Sequence, residues 1–143
     1  MEFIGREYEM NQLIRWEKRE SKLTVVYGRR RVGKTRLIEE AFKKEKVYKF
    51  EGVEGQNEHE GQREFLNQFA INFNMPEMQL VKIDSWSAIF LLLSKKLGKT
   101  SNIIFFDEFQ WIGGEEKKIV SHLKYAWDNF FLKNNRVHII LCG

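Results

Sequence analysis

The sequence contains very little cysteine and proline, with one residue of each among 143. A single cysteine, Cys142, cannot form a disulfide within the chain, which excludes the disulfide-rich secreted class. The low proline content, with 43% hydrophobic and 31% charged residues, excludes a proline-rich or disordered chain. We therefore expect one compact domain with its own core, located in the reducing cytoplasm.

Long apolar runs and an export sequence are also missing. The first ten residues, MEFIGREYEM, carry acidic side chains where a secretory signal has a basic segment. The longest apolar runs, Ile89 to Leu93 and Ile103 to Phe106, are far shorter than the ~20 residues that a membrane-spanning helix needs. We expect no membrane partner, and the net charge of +4 favours anionic partners such as phosphates.

Short β-branched and apolar runs alternate along the chain with segments of helical periodicity. The predicted strands are Lys22 to Tyr27, Lys46 to Phe50, Asn102 to Phe109 and Arg136 to Gly143. The predicted helices are Arg6 to Glu20, a helix after Gly33, a helix capped by Asn57 and ended by Pro76, a helix capped by Asp84 or Ser85 and ended by Gly98, and a helix from Glu115 to Leu132. The last of these is expected to turn Ile119, Val120, Leu123, Trp127 and Phe131 inward. The apolar continuity of Lys22 to Tyr27 predicts a strand that is covered on both faces.

The segment GRRRVGKT between the first strand and the following helix matches the G-x-x-x-x-G-K-[ST] pattern of a phosphate-binding loop. Its glycines let successive backbone N–H groups turn inward around phosphate oxygens, and the helix that starts near Lys34 adds a positive dipole end. Lys34 would reach the β- and γ-phosphates, and the Thr35 hydroxyl would bind Mg²⁺. The alternative is a tight glycine turn with an incidental Lys-Thr pair. The predicted nucleotide contacts of this loop are Gly28, Arg29, Arg30, Arg31, Val32, Gly33, Lys34, Thr35 and Arg36.

The loop also contains three consecutive arginines, Arg29, Arg30 and Arg31. Their side chains are expected to point outward, because the backbone does the binding there. Two roles stay open for them: a favourable electrostatic field, and contact with a partner subunit or nucleic acid.

Two adjacent acids follow the most apolar predicted strand, at the end where ligands bind in a doubly wound sheet. Asp107 would hold the Mg²⁺ shared with Thr35, and Glu108 would orient and deprotonate the water that attacks the γ-phosphate. Gln110 is a candidate sensor of that phosphate. The alternative is a strand that simply ends in a solvated turn.

Glu108 also separates classes of phosphoryl-transfer protein. A nucleoside kinase has an acceptor and needs no base directed at water, whereas a hydrolytic motor or switch does. A guanine-specific protein should carry an Asn-Lys-x-Asp segment downstream, and the nearest string, Val81 to Asp84, lacks the Asn and lies upstream. The sequence therefore favours ATP.

Four ordered segments, FIGREYEMNQL, VVYGRRRVGKTRLIEEAF, IIFFDEFQWI and HIILCG, closely resemble the archaeal-type ATPase family of AAA+-related STAND NTPases. The resemblance implies a three-layer α/β/α fold with a parallel sheet of order 5-1-4-3-2, and Mg-ATP as ligand. It also implies that the N-terminal segment lies over adenine and ribose, the alternative being a helix cap. The implied base contacts are Phe3, Ile4, Gly5 and Arg6.

The sequence departs from the family pattern after HIILCG, where the family continues with a sensor residue, a fifth strand and a helical or winged-helix region. We therefore interpret residues 1–143 as a truncated ATPase core with strand order 1-4-3-2 and weak or no turnover. The strand from Lys22 to Tyr27 then lies at an edge, which predicts self-association. Nucleic acid is a candidate partner of the full-length protein. The alternative function is a nucleic-acid-binding module in which nucleotide is incidental.

Overall fold

Four strands form one parallel sheet in this computed structural model, which describes residues 20–26, 33–114 and 118–143. The strand order is β1-β4-β3-β2, as the family resemblance implied, and all three neighbouring pairs are parallel. All four strands therefore end at the same edge of the sheet. The strands are β1 (Lys22–Val26), β2 (Val47–Glu51), β3 (Ser101–Asp107) and β4 (Arg136–Cys142).

Helices connect successive strands and cover both faces of the sheet. They are α1 (Lys34–Ala41), α2 (Glu58–Asn72), a 3₁₀ turn (Pro76–Leu80), α3 (Trp86–Leu97), the one-turn α4 (Phe109–Ile112) and α5 (Lys118–Ala126), which continues through a π-helical turn (Trp127–Phe131) into α6 (Leu132–Asn134). The predicted helix from Arg6 to Glu20 lies almost wholly outside the described residues. No helix in the described ranges is long and apolar enough to cross a membrane.

The sheet separates two hydrophobic cores, which makes the domain a three-layer α/β/α structure. The larger core contains residues of α2, α3 and α5, and its centre is a group of aromatic rings that includes Phe50, Phe65, Phe90 and Phe106. The smaller core packs Leu37 and other α1 residues against the opposite face of the sheet. Because a hydrophobic core covers each face of the sheet, β3 and β4 are apolar on both faces.

Local sequence determines most helix ends. Asn57 and Glu60 form the predicted capping box at α2, with reciprocal side-chain to backbone bonds of 2.8 and 3.0 Å. Ser85, rather than Asp84, caps α3. Helix α2 ends at Asn72 and not at the proline, because the chain has already turned at Asn74, where φ is 52°.

Two predictions about burial were wrong. Strand β1 is not covered on both faces, since Leu23 and Val25 are 37% and 57% exposed. Strand β1 lies at the edge of the described sheet, where α1 packs near Val26 on one face and the exposed Leu23 and Val25 lie on the other. Val120 was expected to point inward from α5 and is 56% exposed instead.

Candidate functional site

The predicted site residues that the structure describes meet at the carboxyl edge of the sheet. Asp107 is the last residue of β3, and Glu51 lies beside it as the last residue of β2. Helix α1 begins at this same edge, after the chain has left β1 at Val26. The parallel order alone brings these three chain segments together, because every strand ends on the same side.

Thr35 and Asp107 lie in direct contact although 72 residues separate them along the chain. The Thr35 hydroxyl is 3.3 Å from Oδ1 and 3.1 Å from Oδ2 of Asp107. Thr35 is in the first turn of α1, so the helix start holds its hydroxyl over the end of β3. The two residues that the loop and acid motifs predicted as metal ligands thus form one polar pair.

Asp107 is a buried carboxylate with 6% exposure, so its charge needs polar partners. It accepts a hydrogen bond from Thr35, and the backbone N–H of Glu108 donates to its Oδ1 at 3.0 Å. The ammonium of Lys49 lies 3.5 Å from its Oδ2. These three contacts fix the carboxylate at the edge of the sheet.

Glu108 occupies an unusual backbone position directly after the strand. Its φ is 51° and its ψ is 46°, a left-handed conformation that non-glycine residues rarely adopt. Its side chain accepts a hydrogen bond of 2.8 Å from the amide of Gln110. Since such backbone strain is concentrated at functional sites, this conformation makes Glu108 a candidate catalytic residue on grounds independent of its motif.

The beginning of α1 is suited to an anion. Gly33 is the cap residue of the helix, with φ of 77° and ψ of 31°, and as a glycine it supplies no side-chain cap. The first turn also contains no acidic residue. Because the first N–H groups of a helix have no intrahelical partner and carry partial positive charge, this end favours a negatively charged ligand.

Of the remaining predicted nucleotide contacts, two lie within the described residues and the others lie outside them. Lys34 opens α1 by its backbone, and Arg36 is exposed in the same turn. The other contacts lie outside the described residues, so their predicted roles stay predictions; they are Phe3, Ile4, Gly5, Arg6, Gly28, Arg29, Arg30, Arg31 and Val32.

Three further residues border this site and were not singled out from the sequence. Lys49 and Glu51 lie on one face of β2, next to Asp107. Gly52 follows β2, and its N–H donates to the Asp107 carbonyl at 2.9 Å. A Cβ at Gly52 would lie 2.3 Å from the Glu108 carbonyl oxygen. The polar, alternating sequence around β2 gave no motif to indicate these contacts.

The Thr35 and Asp107 oxygens fit a small divalent cation. Both are hard oxygen donors of the kind that Mg²⁺ prefers, and their separation of 3.1 Å to 3.3 Å matches the ~3 Å between neighbouring ligands in an octahedral shell. Within the described ranges no cluster of three His, Cys, Asp or Glu residues could hold a metal. Two protein oxygens, with phosphate and water completing the shell, are the usual Mg²⁺ arrangement at nucleotide sites.

Comparison with known protein families identifies the chain. Residues 3–143 match the family described as an ATPase domain predominantly from Archaea. The chain belongs to this family. An uncharacterized protein of Methanocaldococcus jannaschii, MJECL04, is 32% identical to this archaeal-type ATPase domain over 145 residues, which cover 99% of the chain. The chain corresponds to 29% of the length of that relative.

A solved structure shows the same fold as this archaeal-type ATPase domain. The structure of the Aeropyrum pernix ORC2 protein, in ADPNP and ADP complexes, matches with a TM-score of 0.62 and 15% sequence identity. The match covers 96% of this chain and 39% of the ORC2 chain. At this identity the similarity shows the shared P-loop NTPase fold, with its parallel sheet between helices.

Proposed function

We propose that the chain is the nucleotide-binding core of an ATPase that binds Mg-ATP and hydrolyses it to ADP and phosphate. The observation that carries the proposal is the contact between the Thr35 hydroxyl and the Asp107 carboxylate. These residues come from two separate motifs, and their contact lies at the start of α1, whose cap residue is a glycine. Membership in the archaeal ATPase-domain family supports the same function.

Each residue of the proposed site has a chemical role. Main-chain amides from Gly28 to Gly33 would surround the phosphates, and Lys34 would contact the β- and γ-phosphates. Thr35 and Asp107 would hold Mg²⁺, which when bound neutralises charge on the phosphates. The predicted base contacts near the N-terminus, Phe3 to Arg6, complete the proposed nucleotide site.

Glu108 is the proposed general base. A carboxylate at this position would accept a proton from the attacking water, and the Gln110 amide, which donates to it at 2.8 Å, would hold it in place. This contact modifies the role predicted for Gln110, which we now propose to position Glu108 in the absence of nucleotide. ATP is proposed over GTP because residues 108–143 contain no Asn-Lys-x-Asp guanine-reading segment, and the structure of the fold relative ORC2 holds ADPNP and ADP.

We further propose that residues 1–143 by themselves hydrolyse ATP slowly. The relatives that the chain matches are much longer, and the chain spans 29% of one and 39% of the other. Sensor and arginine-finger groups would then be supplied by residues beyond this core. The alternative nucleic-acid-binding function rests on Arg29, Arg30 and Arg31, which lie outside the described residues.

Calorimetric titration of ATP and GTP, with and without Mg²⁺, tests the proposal directly. We expect Mg-ATP to bind, Lys34→Ala and Asp107→Asn to weaken binding about tenfold or more, and Glu108→Gln to retain binding while abolishing turnover. Asp84→Asn, which removes a carboxylate before α3, is the matched control and should bind normally.

Two results would contradict the proposal. One is the absence of nucleotide binding by the wild-type chain. The other is an unchanged affinity in Asp107→Asn. Nucleic-acid binding that falls steeply with salt and persists in Lys34→Ala would favour the alternative module.

A further inference from the structure

Lys49 on β2 faces the same side of the sheet as Asp107. Strands β2 and β3 pair with Lys49 beside Phe105 and with Glu51 beside Asp107, and residues two apart in a strand share a face. The Lys49 ammonium lies 3.5 Å from Oδ2 of Asp107 and 3.5 Å from Oε1 of Glu51. It also lies 5.9 Å from the centre of the Phe105 ring. Lys49 is therefore located beside the proposed metal-binding acid.

The two partners of this ion pair differ in exposure. The side chain of Asp107 is 8% exposed, whereas that of Lys49 is 40% exposed. A buried carboxylate requires compensation for its charge, and the other partners of Asp107 given above, a hydroxyl and a backbone N–H, are neutral. Among the described residues, Lys49 thus supplies a positive charge at Asp107.

We propose that Lys49 stands in for Mg²⁺ at Asp107 and sets how strongly nucleotide binding depends on the metal. The inference rests on the proposed function, because it assigns Asp107 to a metal beside a triphosphate. A Mg²⁺ ion held by Thr35 and Asp107 would repel the Lys49 ammonium, which lies 3.5 Å from the same carboxylate. Lys49 can leave because its long side chain is partly exposed and has Glu51 as a second partner.

The consequence is a measurable coupling between metal and nucleotide. Without metal, a triphosphate that approaches Thr35 faces the negative charge of Asp107, and Lys49 offsets that charge. Removal of Lys49 should therefore weaken ATP binding in EDTA more than in Mg²⁺. Because the pair is partly exposed, solvent screens the effect, so we expect a moderate factor rather than a complete loss.

Equilibrium titration of a fluorescent ATP analogue in EDTA and in Mg²⁺ measures this coupling as a ratio of dissociation constants. We expect Lys49→Met to raise the ratio of the dissociation constant in EDTA to that in Mg²⁺ about tenfold. This factor corresponds to only part of the interaction between two unit charges near a protein surface, because solvent screens the pair. Lys49→Arg keeps the charge and should retain a ratio near that of the wild type. Lys46→Met, which removes a lysine before β2 that lies over the Tyr48 ring, is the matched control and should leave the ratio unchanged.

The background of Asp107→Asn separates a specific contact from a general charge effect. In that background Lys49→Met should change the ratio little, since the carboxylate that Lys49 compensates is gone. An unchanged ratio in Lys49→Met, or an equal rise in Lys46→Met, would overturn the role of Lys49 while leaving nucleotide binding established. If the wild-type chain binds no nucleotide in either condition, the proposed function fails, and the role of Lys49 fails with it.

Discussion

His138 shows how one polar residue can be buried within the sheet away from the site. It lies on β4 with 0% exposure, under the α1 face, where its ring packs edge-on against Phe42 with centroids 5.6 Å apart. Its Nε2 is 2.9 Å from the Thr24 hydroxyl of β1. Burial, and secondarily the nearby charge of Lys22, lower the pKa of His138 to about 4. The folded protein therefore holds this imidazole neutral.

This lowered pKa predicts a loss of stability in mild acid. In the unfolded chain His138 has the ordinary pKa of 6.5 and takes up a proton there first. Its contribution to stability is fully present above about pH 6.5 and is lost as the pH falls toward about 4. We expect a loss of about 2 kcal/mol in the free energy of unfolding between about pH 7 and about pH 5. Urea unfolding at a series of pH values measures it.

Two variants isolate the contribution of His138. His138→Leu removes the titrating group, so its stability should change less over the same pH range. Lys22→Met removes the second cause of the lowered pKa, so it should reduce the pH dependence partly. A pH dependence in His138→Leu as steep as that of the wild type would show that other groups cause the acid sensitivity.

At the scale of secondary-structure elements, the turn after β2 packs directly against the turn after β3. Gly52 bonds the Asp107 carbonyl, and a Cβ there would lie 2.3 Å from the Glu108 oxygen and 2.7 Å from the Ile112 nitrogen. Those atoms are backbone, so they cannot move aside by a rotamer change. Gly52 is thus required by close approach rather than by its own backbone angles, as it has no positive φ.

Gly52→Ala should lower the free energy of unfolding by about 2 kcal/mol, because the extra methyl group forces the two turns apart. It should also lower ATP turnover more than ATP affinity, since the displaced group carries Glu108. Gly55→Ala is the matched control, because Gly55 has φ of 88° but an added Cβ there would meet no atom within 4 Å. This variant should lower the free energy of unfolding by about 1 kcal/mol through backbone strain and leave turnover unchanged. Equal effects of the two substitutions on turnover would contradict the close-approach explanation.

The elements of this fold differ in how far the sequence predicts them. The capping box of α2 and the apolar run of β3 are local patterns, so the start of α2 and the position of β3 were predicted close to those observed. The π-helical turn from Trp127 to Phe131 has no local pattern and was predicted as ordinary helix. The contacts of Lys49 and Gly52 depend on strand register, which a single sequence does not state. The contact between Thr35 and Asp107 was predicted because each residue belongs to a motif.

At the scale of the whole molecule, β1 has a single neighbouring strand in the described part of the chain. Strand β1 pairs with β4 and ends the strand order there. Its outward Leu23 and Val25 are exposed, and Val25 borders an apolar groove of about 530 Å³ together with Leu141 and Val120. Within the described residues β1 therefore has one edge without a strand partner, and an apolar edge of this kind tends to pair with another chain.

We therefore predict that the chain self-associates through β1 at high concentration. Val25→Lys places a charge on the exposed face of that strand and should raise the dissociation constant of the dimer about tenfold, a change of about 1.4 kcal/mol. Sedimentation equilibrium over a range of concentrations measures it. Leu80→Lys, at an 82% exposed position after α2, is the matched control and should leave the dimer unchanged. A wild-type chain that stays monomeric at every concentration would show that the β1 edge is not a pairing surface. Equal weakening of the dimer by Val25→Lys and Leu80→Lys would show the same, because a general effect of surface charge does not depend on where the lysine is placed.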